Sequence, residues 1–290
     1  MVIRIAILFL LLSAGCASAQ QRALHLAVSI APQRYLLQQL VDTDASIDVL
    51  VRNGQNPATW EITPRQMMAL AQTDALFRIG VPFERIYLPK LRRNFPALKI
   101  YAVHSGIKRY PFAAAEHATA DNIDPHIWLD PLLDIRMAEN MAAALAELDP
   151  DNSAIYQRRL KQVRREFEQL HRRIATLLEQ HRDGCFMVFH PSWGYFARRY
   201  HLCQLAIELH GRQPRGAALA RIIDSARAHH IGTIFVQSQF SRKTAAAVAA
   251  QLGIKVETLD PLPQNLAAGL LETAQKLSHA LEQQCQPSSH

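Results

Sequence analysis

The sequence predicts an α/β protein with two Rossmann-like α/β lobes that are joined by one long rigid helix. Short apolar runs with strand character alternate with amphipathic helical runs in residues 20–150, and the same alternation returns in residues 183–290. Such alternation is typical of mostly parallel sheets covered by helices. Residues 151–182 carry instead one long apolar stripe with helical spacing. We therefore expect an N-terminal lobe, a linking helix and a C-terminal lobe with these boundaries.

The N-terminal lobe is predicted from short apolar runs bounded by turn-forming residues. Its strand candidates are residues 24–30, 47–51, 75–79, 99–103 and 127–129, and its first helices are residues 33–41 and 64–70. Thr63 is expected to cap the second of these helices, with Pro64 in the first turn.

Two long helices follow, at residues 134–148 and 153–179, with Ser153 placed to cap the second. The apolar stripe of the second helix steps alternately by four and three residues: Tyr156, Leu160, Val163, Phe167, Leu170, Ile174 and Leu177. At 1.5 Å per residue this helix spans roughly 40 Å, enough to connect two lobes as a stiff spine. A coiled-coil dimer seam is the alternative explanation of the stripe.

The C-terminal lobe repeats the alternation of strands and helices. The expected strands are residues 186–189, 204–209, 233–237 and 255–259, and the expected helices are residues 195–200, 217–229, 242–252 and 267–281. Cys185 and Cys203 stand at the heads of two runs that we expect to be neighbouring strands. In an oxidising compartment they form either a disulfide or two buried thiols.

Residues 1–19 have the composition of a secretory signal peptide. Arg4 precedes an apolar run at residues 5–12, which is too short to span a bilayer stably. Cleavage after an Ala-Ser-Ala sequence leaves Gln20 as the first residue. Alternatively, the Ser-Ala-Gly sequence before Cys16 loosely resembles a lipidation signal, and Cys16 then carries a lipid anchor. Both routes predict an exported, periplasmic chain.

Composition and motifs exclude several classes of function. The formal net charge is +7, but Lys and Arg are scattered along helical stretches among Glu residues, which is typical of a solvated surface. We therefore expect no nucleic-acid partner. The chain has no Gly-rich phosphate loop, no Gly-x-Ser-x-Gly elbow and no His-Glu-x-x-His helix, so we expect no enzyme activity.

Three potential metal ligands stand at strand ends or in the loops beside them, each next to a proline. They are His126, His190 and Asp260. Loops at the strand ends of open α/β sheets form the ligand crevice, so residues distant in sequence converge there. Two imidazoles and one carboxylate suit Zn²⁺ or, as the alternative, Mn²⁺.

Five motifs, in this order, resemble the cluster A-I periplasmic metal-binding proteins of ABC importers, the ZnuA/TroA type. They are NPATWEITP at residues 56–64, DPHIWLDP at 124–131, FHPSWGYFA at 189–197, QFS at 239–241 and LDPL at 259–262. The resemblance runs from about Leu24 to the C-terminus. It implies two α/β lobes with a metal held between them, a monomer, and delivery of the metal to an ABC importer permease in the inner membrane.

The resemblance also implies ligands at matching positions. His126 corresponds to the second ligand of the family's first lobe, and His190 and Asp260 correspond to ligands from the second lobe. The family's first ligand is a His directly after Pro57, where this chain has Ala58. Three outcomes follow: water fills an open coordination position, His117 from the neighbouring loop takes it, or metal binding is weakened or lost.

Two further functions compete with a metal receptor. Two His and one Asp with an open position also describe a hydrolytic zinc site, for which Glu208 is the base that we nominate. A family member with an altered ligand, or with a metal-buffering or interaction role, is the other alternative. Trp128 and Trp193 are expected to wall the cleft, and Asp124 and Asp130 to orient the backbone or an imidazole proton.

Overall fold

The computed structural model describes residues 23–52, 54–112, 122–208 and 214–285. The predicted signal peptide with Cys16, and the candidate ligand His117, lie outside the described residues. No helix within the described ranges is long and apolar enough to cross a membrane.

Four parallel strands form the sheet of the first lobe: β1 (His25–Val28), β2 (Ser46–Val49), β3 (Ala75–Arg78) and β4 (Lys99–Ala102). Their spatial order is β2-β1-β3-β4, so the strand order reverses beside β1. The helices of this lobe are α1 (Ala31–Leu40), α2 (Pro64–Leu70), α3 (Pro82–Asn94) and α4 (Pro131–Leu148). Thr63 caps α2 as predicted, because its side chain accepts a hydrogen bond from the backbone N–H of Gln66.

Residues 127–129, predicted as a strand, form instead the 3-10 helix Ile127–Leu129. All three side chains are buried, so they do not alternate between two faces. The hydrogen bonds are local, since the N–H groups of Ile127 and Leu129 bond to the carbonyls of Pro125 and His126. A run of three apolar residues does not carry enough periodicity to distinguish a strand from a tight helical turn.

The long helix α5 (Ser153–Leu178) packs against α1 and α4. Its stripe is buried as predicted up to Ile174, after which the buried position is Leu178 rather than Leu177. Helices of the same chain cover the stripe, so it is not a dimer seam. Ser153 does not cap this helix, since a 3-10 turn precedes it and places Asn152 at the N-cap.

Four parallel strands form the second sheet: β5 (Cys185–Val188), β6 (Cys203–Ala206), β7 (Thr233–Val236) and β8 (Lys255–Thr258). Their order is β6-β5-β7-β8. The helices are α6 (Gly194–Arg199), α7 (Ala217–Ala228), α8 (Arg242–Leu252) and α9 (Leu266–Cys285). The predicted class, two parallel α/β lobes joined by a long helix, is confirmed.

Cys185 and Cys203 are partners in the β5–β6 ladder and form a disulfide, with Cα atoms 4.3 Å apart. Of the two alternatives that the sequence leaves open, the structure contains the bridge. It ties β6, an edge strand, to the interior of the sheet.

One hydrophobic core runs through both lobes. It includes residues of β1 and β3 on one side, Val163 and Phe167 of α5, and Phe186 and Val188 of β5 on the other. A second, smaller cluster lies on the opposite face of the second sheet and contains Met187. Because the larger core belongs to both lobes, it does not mark a boundary between them. The division of the chain at residues 150 and 182 stays a prediction.

Candidate functional site

The carboxyl ends of both sheets open onto one cavity of about 1260 Å³. Loops that follow β2, β3 and β4 of the first lobe line it, together with loops that follow β5 and β6 of the second. Since all strands within each sheet are parallel, these loops leave each sheet at the same edge. His126 and His190 both line the cavity. The structure thus brings together two of the predicted ligands from opposite lobes.

His126 lies just before the 3-10 helix and is buried, with 8% of its surface exposed. The carboxylate of Asp124 accepts two hydrogen bonds from it, from the backbone N–H at 2.9 Å and from Nδ1 at 2.6 Å. A carboxylate only accepts, so Nδ1 carries the proton and the lone pair of a neutral ring is on Nε2. Burial lowers the pKa of His126 although Asp124 opposes the shift, which favours the neutral ring that a metal requires.

His190 follows β5 and is half-buried. Its Nδ1 lies 3.0 Å from Oε2 of Glu208, which follows the neighbouring strand β6. Gln237, which follows β7, holds the backbone: its amide donates to the His190 carbonyl at 2.6 Å and accepts from the His190 N–H at 3.2 Å. The ring of Phe240 stacks on the imidazole, with centroids 4.9 Å apart. His190 is therefore oriented by three side chains, from the loops that follow the two neighbouring strands β6 and β7.

The two imidazoles are close to each other, with ring centroids 5.4 Å apart. Trp128 packs against His126 at 5.0 Å and lines the cavity as predicted. Trp193 does not line the cavity, because it is fully buried in the shared core.

The position after Pro57 lines the same cavity and carries only a methyl group. The N–H of Ala58 donates to Oδ1 of Asn56 at 2.8 Å, which fixes the loop but supplies no metal donor. At the position after Pro57, the loop that follows β2 therefore reaches the cavity without a metal-ligating side chain.

Asp260 follows β8 and is exposed. Its Oδ1 accepts a hydrogen bond from the N–H of Leu262 at 2.9 Å, and it is not among the described residues that line the cavity. Trp128 binds this loop through a 2.6 Å hydrogen bond from Nε1 to the carbonyl of Pro261. Across the described ranges, no three His, Cys, Asp or Glu side chains are grouped closely enough to hold a metal. A role for Asp260 as a ligand stays a prediction.

Asp124 and Asp130 have the orienting roles that the sequence predicts. Asp124 holds the His126 ring, and its Oδ2 lies so near Gly194 that a Cβ there would be 2.7 Å away. Asp130 caps α4 by accepting from the N–H of Leu132, and it forms an ion pair with Arg199 at 2.8 Å.

Four further cavity residues are not among the predicted metal ligands. Glu208, the base suggested for a hydrolase, lies against Nδ1 of His190 and orients that ring. Arg78, His104 and Arg109 also line the cavity. Arg78 ends β3 and His104 lies two residues after β4, so their place at strand ends indicates them, whereas Arg109 lies seven residues after β4 and has no such signal.

Comparisons with known proteins agree with this architecture. A family model described as zinc-uptake complex component A, periplasmic (ZnuA), matches residues 26–283. The high-affinity zinc uptake system protein ZnuA of Bacillus subtilis (strain 168) is 26% identical over 260 residues, covering 86% of this chain and 81% of that protein. The manganese-binding lipoprotein MntA of Halalkalibacterium halodurans is 22% identical over 258 residues, covering 85% and 83%.

A solved structure extends the likeness to three dimensions. The crystal structure of a ZnuA deletion mutant with zinc bound is 37% identical, has a TM-score of 0.85, and is matched over 92% of this chain and 100% of its own. A family of transport receptors rather than of enzymes accounts for both the fold and the paired imidazoles at the cavity. The family model spans nearly the whole described chain, and the chain belongs to the ZnuA family of periplasmic metal-binding proteins.

Proposed function

We propose that the protein is the metal receptor of an ABC importer and that its cargo is Zn²⁺, with Mn²⁺ as the alternative. The observation that carries this proposal is the pair of cavity imidazoles, 5.4 Å apart, each with Nδ1 held by a carboxylate. This arrangement leaves two Nε2 donors from opposite lobes for one ion. The relative from Bacillus subtilis takes up zinc, and that from Halalkalibacterium halodurans binds manganese.

The remaining coordination positions have three candidate donors. They are Asp260, His117 and water. Imidazole nitrogen favours Zn²⁺ over Mn²⁺ on general affinity grounds, whereas additional oxygen donors favour Mn²⁺. The balance of nitrogen and oxygen donors at these positions therefore sets the choice of cargo.

The path of the cargo also belongs to the proposal. We infer that the chain is exported by its signal peptide to the periplasm, either cleaved before Gln20 or anchored by lipid at Cys16. There it acts as a monomer and delivers its metal to the permease of the importer in the inner membrane. The family model for periplasmic zinc-uptake components supports this path.

Zinc titration by calorimetry on metal-free protein from Gln20 onward tests the proposal. We expect one site, and His126→Ala and His190→Ala are each expected to lower zinc affinity by at least about tenfold, because each removes an Nε2 donor. His229→Ala, at an exposed position on the second lobe, is the matched control. Unchanged affinity in both cavity variants would contradict the site. No binding of zinc or manganese by the wild type would favour the family member with an altered ligand.

Ala58→His tests whether a coordination position is open. If water occupies it, the added imidazole is expected to raise zinc affinity by at least about tenfold, since it supplies a donor from the loop that already lines the cavity. Ala58→Phe adds a ring without a donor nitrogen and serves as the control. Equal affinity in all three proteins would mean that a protein side chain such as His117 already fills the position.

A further inference from the structure

The first-lobe wall of the cavity carries a basic cluster, which we define as Arg78, His104 and Arg109. Arg78 ends β3, and the other two residues follow β4. Nη1 of Arg78 lies 3.2 Å from Nε2 of His104. A Cβ at Gly80 would lie 2.8 Å both from Nη1 of Arg109 and from Cδ2 of His104, so the cluster packs closely over the bare backbone of Gly80. The positive φ of Gly80, 100°, also suits glycine at this position.

The basic cluster has two permanent charges and one neutral ring. Burial, Arg78 and Arg109 together lower the pKa of His104 to about 4, so at neutral pH its Nε2 accepts a hydrogen bond from Arg78. Among the described residues, neither Arg78 nor Arg109 has a carboxylate partner in hydrogen-bond or ion-pair contact.

Glu84 lines the same cavity but does not pair directly with the basic cluster. Both oxygens of Glu84 are engaged, by the hydroxyl of Ser29 at 2.6 Å and by the N–H groups of Ile79 and Gly80 at 2.8 and 2.7 Å. Burial raises the pKa of Glu84, while these hydrogen bonds and the charge of Arg78 oppose the shift. Within the described ranges, the guanidinium groups of Arg78 and Arg109 therefore line the cavity without a carboxylate in direct contact.

Two cations on the wall disfavour a bare divalent ion and favour an anion. Guanidinium groups match carboxylates in geometry and bind them by paired, charge-assisted hydrogen bonds. The wall repels a bare metal ion held by His126 and His190. A negatively charged chelator bound to that metal would instead be attracted to the wall.

The size of the cavity and the lack of a donor at Ala58 also favour a metal that is bound to a small anion. A volume of about 1260 Å³ is far more than one ion needs, and small-molecule sites occupy about 300–1,000 Å³. Ala58 supplies no ligand, and no group of three ligating side chains lies within the described residues. Space, positive charge and a position without a donor side chain, Ala58, thus occur in the same cavity.

We propose that the cavity receives its metal as a complex with a small polycarboxylate anion, whose carboxylates bind Arg78 and Arg109 and complete the coordination left open at Ala58. This inference rests on the proposed function and specifies the chemical form of its cargo. His126 and His190 hold the metal from one side, and the basic cluster holds the anion.

Equilibrium dialysis with radiolabelled citrate, with and without zinc, tests the inference on the mature chain. The wild type is expected to retain about one citrate per protein when zinc is present, and to bind citrate at least about tenfold more weakly without it. Arg78→Gln and Arg109→Gln are each expected to weaken citrate retention by at least about tenfold. Arg158→Gln, at an exposed position of α5, is the control.

Zinc binding without citrate, measured on the same variants, distinguishes failure of this inference from failure of the receptor proposal. Arg78→Gln and Arg109→Gln are expected to leave it unchanged or to strengthen it, because they remove positive charge. Zinc bound without retention of citrate would overturn the inference and leave the receptor proposal standing. Citrate retained equally without zinc, or equally by both arginine variants, would also overturn it. Failure to bind zinc with or without citrate would overturn the receptor proposal itself.

Discussion

Two carboxylates, Asp124 and Glu208, fix the state of the cavity imidazoles. Each lies against Nδ1 of a different histidine, at 2.6 and 3.0 Å. The fit is tight on the Asp124 side, where Gly194 leaves no room for a side chain. The proposed donors are therefore oriented before a metal arrives, which lowers the entropic cost of binding.

Asp134 of α4 is fully buried, and among the described residues neither of its carboxylate oxygens has a hydrogen-bond partner. Burial raises its pKa well above the usual range, and Asp130 adds to the shift. An unfolded chain ionises this group near pH 4, so above that pH the folded state binds more protons and its stability falls as pH rises. We expect Asp134→Asn to be more stable than the wild type at pH 7 to 8, with the gap narrowing toward pH 4.

Chemical denaturation at several pH values measures this difference. Each unit by which the folded pKa exceeds the unfolded pKa is worth about 1.4 kcal/mol once both states are ionised. The exposed Asp151→Asn, in the turn before α5, is the control and should show no such trend. A gap that is constant with pH would show that Asp134 does not titrate differently on folding.

The two histidines could be predicted because each stands in a short motif beside a proline, although only His190 follows a strand and His126 precedes a 3-10 helix. Their carboxylate partners were harder to assign. Asp124 is two residues from His126 and could be inferred, but Glu208 meets His190 only because β6 lies beside β5. The basic cluster depends on the same kind of information, since Arg78 and His104 meet across the β3–β4 pair. Pairing between strands is not encoded in local periodicity.

At the scale of elements, α5 is the part of the fold most fully determined by local sequence. Its predicted stripe has seven positions from Tyr156 to Leu177 in a helix of 26 residues, and the first six of them are buried. The ring of Phe167 is fully buried and makes an edge contact with Tyr35 of α1, with centroids 6.4 Å apart.

Phe167→Ala is expected to lower the free energy of unfolding by about 3–5 kcal/mol, since it leaves a cavity where α1 meets the linking helix. Gln169→Ala, two residues away on the exposed face of α5, should change it by less than about 0.5 kcal/mol. Urea denaturation of both variants measures the difference. A similar small effect in both would contradict the assignment of this stripe to the core.

Short elements were predicted less well than long ones. The strand prediction for residues 127–129 is wrong because three apolar residues fit either period. The prediction of Ser153 as a cap is wrong because the 3-10 turn Pro150–Asn152 places Asn152 at the N-cap. Helix α3 was not assigned from the sequence at all. Tertiary packing decides such elements.

For the molecule as a whole, the shared core limits how far the lobes can separate. The core continues from the first sheet through α5 to β5 and α9, so wide opening would expose apolar residues from both lobes. Tyr195 adds a polar connection, because its hydroxyl bonds to the carbonyl of Asp124 and accepts from the N–H of Tyr110. We expect metal to enter by local movement of the loops at the cavity.

Zinc should therefore stabilise the whole chain against unfolding. At a free zinc concentration one hundred times the dissociation constant, linkage gives about 2.7 kcal/mol, because the unfolded chain lacks the paired imidazoles. Scanning calorimetry with and without zinc measures this as a rise in Tm. The double variant His126→Ala/His190→Ala should lose the rise, and an equal rise in that variant would place zinc elsewhere.

The disulfide between Cys185 and Cys203 has a consequence for how the protein is prepared. It anchors the edge strand β6, and Glu208, which orients His190, follows that strand directly. A chain folded in reducing cytosol lacks this anchor. Recombinant material purified from cytosol and from an oxidising compartment is therefore expected to differ in zinc affinity, with the weaker binding in the reduced form. The thiol–disulfide chemistry of the folding compartment thus becomes one of the determinants of metal capture.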